Sequence, residues 1–292
     1  MKQGKYQSKK TRAPLWYYAA VLILLGVLGF CVWYLGSYFL SSRNQAGEYE
    51  DLAALVEAVR GTAPTMPRQE PATDENGETV SEDGDFELLV PVPVENIRDE
   101  NGILLEYSQL YGMNPDMGGW LTIEGTKINY PVMHTPGRTD HYLTRNFNGE
   151  YSAWGCLYAR EECDLEEPSD NVTIYGHHMK DGSMFAGLSA YLNREFWENH
   201  RYIRFDTLRE HHVYEIFAVF TTTASEGRGF AYHDFIRAAD EQEFDTFIAK
   251  CLSLSLYGTD LIPTYGDKII CLSTCEYTQT NGRLVVAAVR ID

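Results

Sequence analysis

No side chain between Leu15 and Leu40 carries a charge, and that stretch, LWYYAAVLILLGVLGFCVWYLGSYFL, limits the architecture of the chain more than any other feature. At about 1.5 Å per helical residue it outlasts the roughly 30 Å hydrocarbon core of a bilayer. Trp16, Tyr17 and Tyr18 at one end, with Trp33, Tyr34 and Tyr38 at the other, stand where interfacial aromatic belts belong. Lys2, Lys5, Lys9, Lys10 and Arg12 precede it with no acid among them. The positive-inside rule therefore puts the N-terminus in the cytoplasm and the chain beyond residue 40 outside. A cleaved signal peptide and a lipoprotein signal ending at Cys31 compete with this reading. The stretch is too long for the usual h-region, no small-x-small cleavage site follows, and bulky Phe30 directly precedes Cys31. The expectation is an uncleaved single-pass anchor over 15–40 behind a basic cytoplasmic tail over 1–14.

Residues 41–86 read as a helix followed by an acidic stalk. EYEDLAALVEAVR spaces Leu52, Leu55, Val56 and Val59 as a short amphipathic helix does. From Gly61 to Asp85 the chain is rich in Pro, Thr, Glu and Asp, and between Glu70 and Glu87 it has eight acids and no base, the composition of an extended spacer. The formal charge of −18 argues against a nucleic-acid partner, which would need a basic face. Five cysteines follow the anchor, Cys156, Cys163, Cys251, Cys271 and Cys275. An odd number leaves at least one unpaired within the chain, and whether Cys156 and Cys163 pair stays open. Cys271 and Cys275 cannot bridge if they share one strand, because four extended residues span about 13 Å.

From about Glu87 to the C-terminus the composition is that of a globular, mainly β domain. GWLTIEGTKINYPVM reads as two strands joined near Gly125, and NVTIYGH, HHVYEIFAVFTTT, KIICLSTC and RLVVAAVRI read as four more. Helical spacing appears in MFAGLSAYLNREFW and DEQEFDTFIAKCLSLS. Strands with irregular connections and few helices point to a mainly antiparallel sheet or barrel, with βαβ crossovers left open. Asn281-Gly282 supplies a turn between the last two strands.

Those last two strands carry the chemistry. Cys275 closes one and Arg283 opens its neighbour, so antiparallel pairing brings a thiol beside a guanidinium at a sheet rim. A cation favours the reactive thiolate, and a guanidinium can also hold an oxyanion. The bland alternative is a buried Cys and a solubilising Arg. A base changes the balance, and IYGHHMKDGSMF presents His177 and His178 after a strand. Consecutive residues point to opposite faces, so one of the two faces Cys275, and spacing does not choose between them. His211-His212 is a second pair without evident purpose. No C-x-x-C or H-x-x-x-H occurs, so neither zinc nor any other cofactor is expected.

The His-Cys-Arg order, IYGHHMKDGSMF, LSTC followed by Arg283, and the upstream GWLTIEGTKINYPVM and HYLTRNFNGEYS together resemble a sortase, most closely class B, over about residues 97–292. The resemblance implies an eight-stranded barrel with a few flanking helices. It matches the nucleophile to Cys275, the base or acid to His177, the transition-state arginine to Arg283, and substrate contacts to Leu143 and Ser273. The usual TLxTC departs here, with Cys271 in place of Thr. What is implied is a cysteine transpeptidase of the Gram-positive cell surface. It would cleave NPxT[NG]-like sorting signals of surface proteins through a thioester and join them to a peptidoglycan-precursor or pilin amine. A peptidase hydrolysing the same peptides and a catalytically silent surface binding module remain as alternatives.

The topology has its own test. Protease added to intact protoplasts should remove the domain beyond residue 40, and full protection would overturn the extracellular placement.

Overall fold

The computed structural model describes residues 15–61, 96–224, 228–276 and 281–292. The basic tail and the acidic stalk expected from the sequence lie outside them. In chain order the elements are α1 (Leu15–Arg60), α2 (Leu105–Met113), β1 (Met117–Thr122), β2 (Asn129–Met133), β3 (Leu157–Ala159), β4 (Asn171–Tyr175), a 3-10 helix over Phe185–Leu192, α3 (Arg194–Asn199), β5 (Tyr202–Thr207), β6 (Val213–Thr223), a 3-10 turn over Tyr232–Asp234, α4 (Glu241–Leu254), β7 (Ile269–Glu276) and β8 (Gly282–Arg290). Residues up to Gly47 form one compact unit and Glu48–Asp292 a second. Among the described residues no helix is long and apolar enough to cross a membrane.

The eight strands close into a barrel in the order β1-β2-β3-β4-β7-β8-β6-β5. β2 with β3 and β4 with β7 run parallel, and the remaining neighbours run antiparallel. Ile269–Leu272 of β7 and Leu284–Val289 of β8 are apolar at every position because both of their faces are covered. Ile270, Leu272, Leu284, Val286 and Ala288 join the main core. Ile269, Cys271, Val285, Ala287 and Val289 join a second core on the opposite face, under α4. α4 buries Phe244, Phe247, Ile248 and Cys251, one stripe at helical spacing, and the Asp240 carboxylate caps its first turn by accepting from Glu243 N at 2.9 Å. The single helix expected over MFAGLSAYLNREFW divides in two, because Asn193 caps α3 by accepting from Glu195 N at 2.8 Å. Asn281 takes a left-handed φ of 54° just before β8, as the Asn-Gly turn requires.

The amphipathic segment expected before the stalk is the end of α1, and it belongs with the barrel. Tyr49, Leu52 and Val56 are each at most 4 % exposed, and burial of this kind is worth roughly 1.5–3 kcal/mol per large side chain. Arg60, in its last turn, enters a buried charge cluster. Its guanidinium donates to Asp206 Oδ2 at 2.9 Å, to Glu106 Oε1 at 3.3 Å and to the Tyr107 hydroxyl at 2.6 Å. His211 adds Nδ1 at 3.0 Å from Asp206 and Nε2 at 3.3 Å from Glu106. The His211-His212 pair thus has a use the sequence did not reveal, since the His211 ring sits between two buried carboxylates.

Burial alone would raise the Asp206 carboxyl, but the His211 ring against it, the hydrogen bond from Tyr107 and the Arg60 guanidinium outweigh burial and hold it below the usual range. A depressed folded-state pKa contributes stability that is present above the unfolded value, near 4, and lost as pH falls through the folded value. Arg60→Met should cost about 3–5 kcal/mol at neutral pH, because it strands buried carboxylates, and denaturant melts will read the loss. Asp206→Asn should flatten the acid limb of the stability–pH curve below about pH 4.

Candidate active site

Three neighbouring strands bring the candidate residues together. β4 and β7 pair in parallel with a constant offset of 98 residues, from Asn171↔Ile269 to Tyr175↔Ser273. The pairing continues past the end of β4, where Gly176 N donates to Ser273 O at 3.2 Å and Thr274 Oγ1 donates to Gly176 O at 2.8 Å. His177 and Cys275 are the next positions at the same offset. On the other side of β7, Cys275 is the direct antiparallel partner of Arg283. A Cβ on Gly176 would lie 2.5 Å from Leu157 Cδ2 and 2.7 Å from the Phe185 ring, so glycine lets the strand end pass close under that ring. The loop then returns, with Met184 at φ 53° and Phe185 N donating to His177 O at 2.9 Å.

His177 Nε2 lies 2.8 Å from Leu143 O. A carbonyl only accepts, so Nε2 carries hydrogen and Nδ1 is left as the atom that gains or loses a proton. The His178 ring turns elsewhere, with Nδ1 3.5 Å from Ser189 Oγ. Leu143 thus meets His177 through its carbonyl, while its side chain packs against the main core. Ser273 and Cys275 share the α4 face of β7 with Cys271, by the alternation of the strand. Ser273 is 2 % exposed, and its hydroxyl lies 2.5 Å from that of Tyr232. Tyr232 was not singled out in the sequence, although the aromatic run GFAYHDF marks its segment. Burial pushes its phenol up to about 12, and the Cys275 and Arg283 groups lie close enough to act on it electrostatically. Arg283 is half-buried and donates from Nη1 to Gly282 O at 3.0 Å.

Comparison with known proteins identifies the family. The family model for the sortase domain matches residues 121–291. The chain belongs to the sortase family. Sortase B of Staphylococcus aureus is 31 % identical over 206 residues, covering 70 % of this chain and 79 % of that protein. Sortase B of Listeria monocytogenes is 29 % identical over 267 residues, covering 91 % and 92 %. Sortase B of Bacillus anthracis, solved in complex with AAEK1, superposes with a TM-score of 0.66 at 28 % identity, over 87 % of this chain and 99 % of that one. These relatives place the chain with class B.

The cysteines of this sortase are all free, and in the barrel unit they divide sharply. Burial pushes the Cys156 thiol up to about 12 and the Cys163 thiol up to about 11, and it raises Cys251 and Cys271 as well. Cys275 alone among them is partly exposed. Among the described residues no group of three or more His, Cys, Asp or Glu side chains could hold a metal ion.

A small alkylating reagent should therefore modify Cys275 well ahead of Cys156, Cys163, Cys251 and Cys271, read by peptide mass spectrometry over time. Prior modification of Cys156 or Cys163 with activity retained would show that the wrong thiol has been singled out.

Proposed function

We propose that this sortase is a cysteine transpeptidase held at the outer face of the cell membrane by its apolar N-terminal stretch. The observation that supports the reading is the register of β4, β7 and β8: Cys275 pairs directly with Arg283, and the β4–β7 offset carried two residues past Tyr175 reaches His177. The Cys275 thiol gives its proton to His177 and attacks the Thr carbonyl of a C-terminal sorting signal. Arg283 holds the oxyanion that forms. The scissile C–N bond then breaks, the leaving amine takes the proton back from His177, and a thioester remains. An incoming amine attacks that thioester, loses a proton to His177 and expels the Cys275 thiolate. The Leu143 carbonyl supports His177 in both proton transfers, since a hydrogen-bonded Nε2 fixes the ring while Nδ1 works.

Class B membership supports an NPxT[NG]-like signal and a peptidoglycan-precursor or pilin amine as acceptor. Substrate contacts at Leu143 and Ser273 are part of the same proposal. Incubation with a small set of sorting peptides and an amine, followed by mass spectrometry, tests it. An amide product supports transpeptidation, hydrolysis alone makes the chain a peptidase, and absence of any thioester on Cys275 leaves a silent binding module.

The role of Arg283 separates from simple charge. Arg283→Lys keeps the positive charge and loses the planar fork. Losing one well-aimed oxyanion donor costs about 3 kcal/mol, so transpeptidation should slow about 100-fold while alkylation of Cys275 stays near its original rate. Near-normal turnover by the Lys variant would leave Arg283 as a charge only.

A further inference from the structure

The carbonyl that holds His177 lies in a segment tied to α1, the helix that runs on from the apolar stretch. Tyr49 is 4 % exposed, and its hydroxyl donates to Gly155 O at 2.8 Å and lies 3.2 Å from Cys156 Sγ. The two contacts are chemically consistent. A phenol has one hydrogen to give to the carbonyl, and the Cys156 thiol, kept protonated by burial, has one to give back. Burial likewise keeps the Tyr49 phenol protonated. One residue earlier, the Glu48 carboxylate accepts from Asn146 Nδ2 at 3.2 Å and from Asn148 Nδ2 at 2.9 Å. Two consecutive residues of α1 therefore hold both arms of the loop over 142–156.

Gly155 transmits the contact. It sits at φ 60°, and a Cβ there would be 2.5 Å from Leu143 O and 2.7 Å from Tyr142 O. The backbone at 155 thus lies directly against the carbonyl that meets His177 Nε2, and Cys156 N donates to Tyr142 O at 3.0 Å, closing the two arms together. The path from helix to imidazole is short: Tyr49 hydroxyl, Gly155 backbone, Leu143 carbonyl, His177 ring. We propose that Tyr49 is a positioning residue for His177, seating the 142–156 loop so that the Leu143 carbonyl keeps the imidazole in place. The consequence for turnover rests on the role given to His177 above, and the positional claim does not.

The test uses the full chain in detergent micelles. Tyr49→Phe removes the hydroxyl and keeps the ring, whose edge-on packing against Tyr130 at 5.2 Å should hold the helix in place. Two readouts are taken, kcat and KM for a cleaved sorting peptide, and the His177 ring-nitrogen NMR signals, assigned with His177→Gln. The expected result is a kcat lowered about five- to tenfold, the scale of one lost buried hydrogen bond, a KM within about twofold of the parent, and a shifted or broadened Nε2 signal. An unchanged His177 spectrum in Tyr49→Phe overturns the proposal whatever the kinetics. A changed spectrum with unchanged turnover, together with an active His177→Gln, upholds the positioning and overturns the catalytic role of His177 instead. Should Tyr49→Phe melt below the assay temperature, Glu48→Ala loosens the same loop through Asn146 and Asn148, with a loss in kcat of about two- to threefold and the same spectral change expected. No spectral change in that variant overturns the proposal equally.

Discussion

β4 and β7 run side by side in the same direction, which two strands of one sheet can do only when a long connection carries the chain back to its starting end. Here that connection holds β5, β6, α3 and α4, so two of the eight strands of the barrel are built between two strands that end up touching. The parallel ladder has no slack in it. A slip of one residue in the β4–β7 register would turn His177 to the other face and bring His178 to the level of Cys275. The register is held from both sides: by the alternation of β7 and β8 between two apolar cores, and by the Gly176 and Thr274 hydrogen bonds that extend the pairing beyond β4. The candidate site is therefore a property of the ladder more than of any loop.

Much of this was legible in the sequence, and the reasons are specific. β6, β7 and β8 each hold an apolar, β-prone run, and Asn281-Gly282 marks the turn, so the Cys275–Arg283 pair could be placed by local reasoning. His177 against His178 could not, because strand alternation says that they diverge and leaves open which way each one goes. That choice comes from a contact across 98 residues of chain. β3 is three residues long and β5, YIRFDT, places an Arg and an Asp among its apolar positions, so neither stands out as a strand. They exist because the barrel needs them to close. Tyr232 and Tyr49 went unnoticed for a related reason, since a buried tyrosine shows its purpose only when the partner of its hydroxyl is known.

Arg60, Glu106, Asp206 and His211 hold the end of α1 to the barrel by charge, whereas Tyr49, Leu52 and Val56 hold it by apolar contact. The two attachments respond to conditions differently. The ionic one weakens in acid, as the sign of the Asp206 shift requires, and the apolar one is nearly indifferent to pH. The end of the helix is thus secured at its last turn by a pH-dependent contact and over Tyr49–Val56 by a pH-independent one, and the loop that supports His177 is tied to the second.

A closed barrel has no free strand edge. An extended peptide therefore cannot be captured as an extra strand, the usual way in which a sheet binds a sequence through backbone alone. Whatever docks over Cys275 must be recognised by side chains and by the loops above the strand ends, the 142–156 loop and the segment around Tyr232 among them. Such recognition is selective where backbone pairing is permissive. The same closure that stabilises the sheet leaves recognition of a peptide to the loops, above a ladder that takes no part in it.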